Sequence, residues 1–187
     1  MRPLTDLQFH ALLPYLLPRS PAGRQIGDLR RRMNAIFHIA CTHSPWRELP
    51  AEYGKPDTIH RYFRRLTHKG LWQRLLEALA EAGPRHPLRE IAHSITRACR
   101  RAHRILGLPF LVLIRRLGLH AALNGPPWLL PDPDLSETLH RLPIHPPQSP
   151  SRQAQKAHES FLASLRHALR MARGRARLRR SVRLAWA

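Results

Sequence analysis

Apolar positions in the first 83 residues recur at helical spacing in separate stretches. Thr5-x-x-Gln8 is a capping-box pattern. Behind it, Phe9, Leu12, Leu13, Leu16 and Leu17 form the single stripe of an amphipathic helix. Pro18 to Gly27 reads as a loop. Asp28 is placed to cap a second helix with the stripe Leu29, Met33, Ile36, Phe37 and Ala40, and Arg30, Arg31 and Arg32 lie mostly off it. Ser44-Pro45 reads as an N-cap followed by proline at the first helical position. A short helix is therefore expected from Trp46 to about Leu49, ended or bent by Pro50. Gly54 supplies a turn, and Asp57 is the expected cap of a helix that faces inward with Ile59, Tyr62, Phe63 and Leu66. Gly70 interrupts, and a last helix buries Trp72, Leu75, Leu76 and Leu79 and ends near Gly83-Pro84.

The second half is less regular. Leu88, Ile91, Ile95, Ala98, Ala102 and Ile105 predict one helix, with Arg89, Arg97, Arg100 and Arg104 towards its other face. Phe110 to Ile114 is the one short run suited to a β-strand. Residues 125–150 are crowded with proline and show no sustained period, so they read as irregular or disordered. Residues 152–183 carry a weak helical stripe of Phe161, Leu162, Leu165 and Leu169, and eight arginines without an acid between Arg166 and Arg183 should extend or fray it. The expected architecture is all-α: a small helix-turn-helix bundle over 1–83, a helical extension over 84–124, a Pro-rich linker over 125–150 and an Arg-rich tail over 151–187.

Charge adds a partner to this picture. The 187 residues include 32 Lys and Arg against 12 Asp and Glu, a formal net charge of +20. Lys occurs only at Lys55, Lys69 and Lys156, so the charge is nearly all arginine. Such an excess points to a polyanion, nucleic acid before an anionic membrane. The most apolar run, Ile105 to Ile114, is broken by Gly107 and Pro109 and falls short of the about 20 residues a spanning helix needs. The first residues lack a signal-peptide layout, and Cys41 and Cys99 form no disulfide framework. The expectation is a cytoplasmic, nucleoid-associated bacterial protein without a membrane partner.

The stretch Trp46 to Leu66 has the order of a helix-turn-helix, a short bracing helix followed by one whose N-terminal part enters the major groove. At about 100° per residue, Ile59, Tyr62, Phe63 and Leu66 share one side. His60, Arg61, Arg64 and His68 share the other, flanked by Thr58 and Arg65. Arginine's planar fork suits guanine edges and phosphates alike. Arg47, Lys55 and Lys69 are better placed for backbone phosphates. The competing reading of the same pattern is a solvated basic helix.

Several blocks follow one another in a telling order. They are Leu4-Thr5-Asp6-Leu7-Gln8, Asn34-Ala35-Ile36, Ser44-Pro45-Trp46-Arg47-Glu48-Leu49-Pro50, Tyr53-Gly54, Thr58-Ile59-His60-Arg61-Tyr62-Phe63-Arg64-Arg65 and Gly70-Leu71-Trp72. Over about residues 3–82 the series resembles the N-terminal domain of bacterial insertion-element transposases of the DDE class, in the insertion-sequence-five-like group. The resemblance implies binding of the element's terminal inverted repeats. It also implies a separate ribonuclease-H-like domain, in which three carboxylates hold two metal ions that activate water and then the freed 3′ end.

No such catalytic domain is readable here. After residue 83 the acids are Glu90, Asp132, Asp134, Glu137 and Glu159, and none sits on a strand pattern of the family's kind. No catalytic residue is assigned, and Mg²⁺ would be needed only by a catalytic part not seen in these residues. The upstream frame of a transposase divided between two frames would give such a chain, and so would a decayed copy. The expected function is DNA binding without catalysis. One alternative is a regulator that occupies the repeats or pairs with itself or with full-length transposase, and a third reading is an active DDE transposase. His38-x-x-Cys41-x-His43 and Cys99-x-x-x-His103 lack the paired spacing of a structural zinc site, so no metal is expected. A glycine loop for phosphates and a nucleophile elbow are also absent from the sequence.

Overall fold

The computed structural model describes residues 2–17, 27–147, 149–175 and 177–186. The loop expected from Pro18 to Gly27 falls, apart from Gly27, outside them. All regular structure in the described residues is helical: nine α-helices with short 3-10 turns between them. The chain forms two compact units, Met1–Asn124 and Gly125–Ala187.

In the first unit α1 runs Asp6–Leu16 and begins with the complete capping box. The Gln8 amide donates to Thr5 Oγ1 at 3.3 Å, and the Thr5 amide donates to Gln8 Oε1 at 3.1 Å. Leu12 and Leu16 are buried as expected, together with Leu4 just before the helix, but Leu17 is 53% exposed. The helix ends at Leu16, so the extended residue after it no longer follows the stripe. The strand-like approach of Leu4 is tied to α2, Leu29–Thr42, where its amide donates to Asn34 Oδ1 at 3.0 Å and its carbonyl accepts from Arg30 Nε at 3.1 Å. Asp28 caps α2 through the Arg31 amide at 2.9 Å, and Met33, Ile36, Phe37 and Ala40 are buried, with Ala35 and Ile39 widening the stripe.

The short helix expected at Trp46–Leu49 is a single 3-10 turn, Trp46–Glu48, and Pro45 rather than Ser44 occupies its cap. A second 3-10 turn, Ala51–Tyr53, follows Pro50 and was not anticipated. Two prolines five residues apart leave room for only one tight turn after each. Gly54 then turns the chain at φ 95°, a conformation that favours glycine.

Helix α3 spans Pro56–His68. Its cap is Lys55, with Pro56 at the first helical position and Asp57 inside the first turn, so Asp57 is not the cap residue. A carboxylate there still favours the helix dipole. Ile59, Tyr62, Phe63 and Leu66 are buried. Gly70, at φ 72°, starts α4, Leu71–Glu81, which buries Trp72, Leu75, Leu76 and Leu79.

The compact unit does not stop at residue 83. After the short α5, Pro87–Glu90, the long α6 covers Ala92–Arg116 and packs against α2, α3 and α4. Leu88, Ile91, Ile95, Ala98 and Ala102 are buried as their period requires. Arg100, expected on the outer face, is 8% exposed, and its Nε donates to the Ala121 carbonyl at 2.8 Å. Gly107 breaks α6 with φ 67° and ψ −149°. Beyond the break Phe110 to Ile114 is helical rather than a strand, because Phe110, Leu111 and Ile114 share one buried side.

In the second unit the Pro-rich stretch is more ordered than its composition suggests. It holds a 3-10 turn at Pro127–Leu129 and α7, Pro133–His140, where the Asp132 side chain accepts from the Leu135 amide at 3.1 Å. Helix α8, Arg152–Arg173, continues through the first arginines of the basic run, and α9 spans Arg180–Ala185. Phe161 is 44% exposed, so it does not act as core. Gly174 ends α8 at φ 61°, and a Cβ there would lie 2.3 Å from the Leu130 carbonyl carbon. Only glycine fits that approach. No helix among the described residues is long and apolar enough to cross a membrane.

The joint between α3 and α4 gives a stability test. Trp72 Nε1 donates to Thr67 Oγ1 at 2.8 Å, and that hydroxyl donates to the Phe63 carbonyl at 2.9 Å, all in the core. Thr67→Val keeps the shape and strands the indole N–H, so urea unfolding should show a loss of about 1–3 kcal/mol. Leu17→Ala, at an exposed position, should stay within about 0.5 kcal/mol. Equal losses for the two variants would contradict this assignment.

Candidate nucleic-acid interface

Burial of one side of α3 turns its other side outward. Thr58, Arg61, Arg64, Arg65 and His68 are exposed on the helix, with Lys55 at its start and Lys69 just past its end. Arg47 is exposed on the 3-10 turn Trp46–Glu48, which packs on α3. The structure therefore gathers all nine residues expected at the site on one helix, its ends and the adjoining turn, and eight of them are exposed.

His60 is the ninth and differs. It is half-buried, and its ring stacks on Trp46 with centroids 5.2 Å apart at 24°. The expectation that it stands fully on the outer face is corrected: it covers the tryptophan at the edge of that face.

The exposed cations are not equivalent. Arg65 lies over the Tyr62 ring at 5.4 Å, and Arg32 lies at 5.2 Å from the same ring. Burial raises the Tyr62 phenol pKa, and the two guanidiniums oppose that rise. Arg65 and His68 also fall in the last turn of α3, where positive charge suits the helix dipole. By contrast, the side chains of Arg47, Lys55, Arg61 and Arg64 have no hydrogen bond, ion pair or ring contact among the described residues. No described residue holds these four in place, and a guanidinium left free beside others is ready to grip phosphate or a guanine edge.

Trp46 links this surface to the interior. Besides His60 it touches the Phe63 ring at 5.3 Å, and the Arg101 guanidinium lies 5.3 Å from its own ring centre. Arg101 reaches this spot from α6 and donates to the Ile39 carbonyl at 2.8 Å and to the Ser44 carbonyl. Burial, with the nearby Arg104, lowers its pKa to about 10, still charged at neutral pH. Sequence reading did not single out Arg101. The available signal was its place three residues after Ala98 and four before Ile105, at the margin of the α6 stripe.

The ligand-like histidines and cysteines gather no metal site: no group of three or more His, Cys, Asp or Glu side chains among the described residues is arranged to hold an ion. Cys41 Sγ lies 3.7 Å from Ser94 Oγ, while Cys99 is fully buried and its thiol pKa is pushed up by burial. Burial also lowers the pKa of His103.

An all-α unit that presents a basic helix with an apolar reverse side defines a class of candidate nucleic-acid-binding domain. Residues 4–76, from the approach to α1 into α4, match the family model described as "Putative transposase of IS4/5 family". This part of the chain is thus similar to the N-terminal domain of an insertion-element transposase, as its motif series implied. No curated protein and no solved structure matches the chain.

Trp46 makes the packing of this surface testable. Trp46→Ala removes the surface on which His60 and Phe63 rest and uncovers Arg101. Thermal or urea unfolding should show a loss of about 2 kcal/mol. An unchanged midpoint would mean that the turn at 46–48 does not help to fix α3.

Proposed function

We propose that this protein binds duplex DNA at the ends of an insertion element through α3, and that its 187 residues bind without cutting. The observation that carries the reading is the row of cations without partners among the described residues, Arg47, Lys55, Arg61 and Arg64, on and beside a helix whose opposite side is core. Thr58, Arg61 and Arg64 are the residues for base edges. Arg47, Lys55, Arg65, His68 and Lys69 serve the flanking phosphates, and His60 steadies the turn that presents Arg47. The family match over residues 4–76 supplies the class of target.

The placement of the acids supports binding without catalysis. Glu90 lies on α5, where it accepts from Gln8 Nε2 at 2.8 Å. Asp132 caps α7, Asp134 lies in its first turn, and Glu137 pairs with Arg141 on the same helix. Glu159 lies on α8. Two-metal catalysis needs carboxylates converging on ions about 3.5–4 Å apart, whereas Glu90, Asp132 and Glu137 are engaged in contacts of their own.

Gel shifts with a terminal repeat and an unrelated duplex test this reading. R61A/R64A should lose the preference for the repeat, since each good base contact is worth about 1–3 kcal/mol of discrimination. Affinity of the parent chain should fall steeply with salt as counterions are released. Unchanged discrimination by the double variant would remove α3 from the recognition role. Purified protein with Mg²⁺ should leave supercoiled substrate intact, and Mg²⁺-dependent nicking would refute the second half of the proposal.

A further inference from the structure

Away from α3, positive charge concentrates where the end of α2 meets the first half of α6. His43 closes α2 in the left-handed conformation, φ 56°. Arg97 Nη1 lies 2.8 Å from its Nε2. A guanidinium has only donors, so Arg97 donates and His43 accepts as the neutral ring with its proton on Nδ1. The charged groups that act on His43 are Arg97, Arg100, Arg101 and His93, all from α6 and all basic. The inner part of this group is committed to the fold, with Arg101 on the carbonyls at the end of α2 and Arg100 on Ala121. His43 and His93 are exposed and Arg97 is half-buried beside them.

We propose that Arg97, His43 and His93 form a second phosphate-binding group, which carries the duplex from α3 across Trp46 onto α6. This rests on the reading of α3 as a DNA-contacting helix. Continuity supports it: Arg101 donates to the carbonyl of Ser44, the residue after His43, and lies over Trp46, which stacks on His60 of α3, so Arg101 and Trp46 stand between the two basic groups. Charge supports it too. A phosphate oxygen accepts from several donors at once, whereas the bond between Arg97 and neutral His43 uses one donor and leaves the Arg97 charge without a carboxylate among the described residues. The group lies largely outside the stretch that matches the transposase family, since His93 and Arg97 follow residue 76.

The histidines add a direction to the effect. Desolvation first, then the neighbouring arginines, lowers the pKa of His43 and of His93 below 6.5 in the free protein. A phosphate beside them favours their protonated forms, so their pKa values rise on binding. Binding then takes up protons and strengthens as pH falls through the window between bound and free values. Above that window the increment is absent.

Fluorescence anisotropy with the full chain and a duplex of about 20 base pairs, enough to pass beyond one major-groove site, tests the proposal. R97A should weaken binding by about threefold to tenfold and reduce the log–log salt slope by about one. R97K should recover most of the affinity. H43N/H93Q should flatten the pH dependence between about pH 8 and pH 6. Parent-like affinity and slope in R97A, alongside a loss in R61A/R64A, would overturn this group while the α3 reading stands. If instead R61A/R64A binds like the parent, the α3 reading fails, and the extension built on it fails too. Should R97A not fold, R97K and the histidine pair decide: a full pH dependence in H43N/H93Q overturns the proposal.

Discussion

The rotation of α3 about its own axis is the constraint from which the rest follows. Ile59, Tyr62, Phe63 and Leu66 are buried, and the bonds from Trp72 to Thr67 and from Thr67 to the Phe63 carbonyl lock the helix to α4. A hydrophobic stripe alone leaves a helix some freedom to roll. A buried hydrogen-bonded pair removes it, because an indole N–H without a partner is costly in the core. With the inner side fixed, Arg61 and Arg64 have nowhere to point but outward.

The inner side of α3 and α4 was legible in the sequence, since each inward residue follows the 3.6-residue period and the core obeys it. The capping box at Thr5 and the cap at Asp28 were legible for the same reason: they depend on neighbours within four residues. The brace in front of α3 was not. Pro45, Pro50 and Pro56 each permit a helix start, and which of them propagates depends on packing, so Trp46–Glu48 and Ala51–Tyr53 remain single turns while Pro56 opens a full helix. His60 was misplaced by the helical wheel because the ring of Trp46, brought in from outside the helix, covers it.

The same division between local and distant causes explains the second half. Residues 84–124 follow a readable period, yet nothing local says that α6 joins the unit formed by the earlier helices rather than extending from it. Arg100 shows why. Its position off the stripe of Ile95, Ala98 and Ala102 looks solvent-facing, and a partner as distant as the Ala121 carbonyl, 21 residues on, helps to make burial tolerable. The Pro-rich stretch misled in the opposite sense. Proline at the first helical position costs nothing, so Asp132-Pro133 starts α7 where composition suggested irregular chain.

Buried arginines also shape the field outside. Arg100 and Arg101 have pKa values lowered to about 10, chiefly by burial, and both remain charged at neutral pH. The partners seen for Arg101 are backbone carbonyls and a tryptophan ring, none of which carries net charge. A buried guanidinium balanced by an acid would add nothing to the surface potential, whereas one held by dipoles keeps its full unit. Arg101 and the surface arginines of α3 therefore act in the same sense. The 21 basic and 8 acidic residues of Met1–Asn124 leave a positive field over the helix that carries Arg61 and Arg64, the arrangement that draws a polyanion in before any specific contact forms.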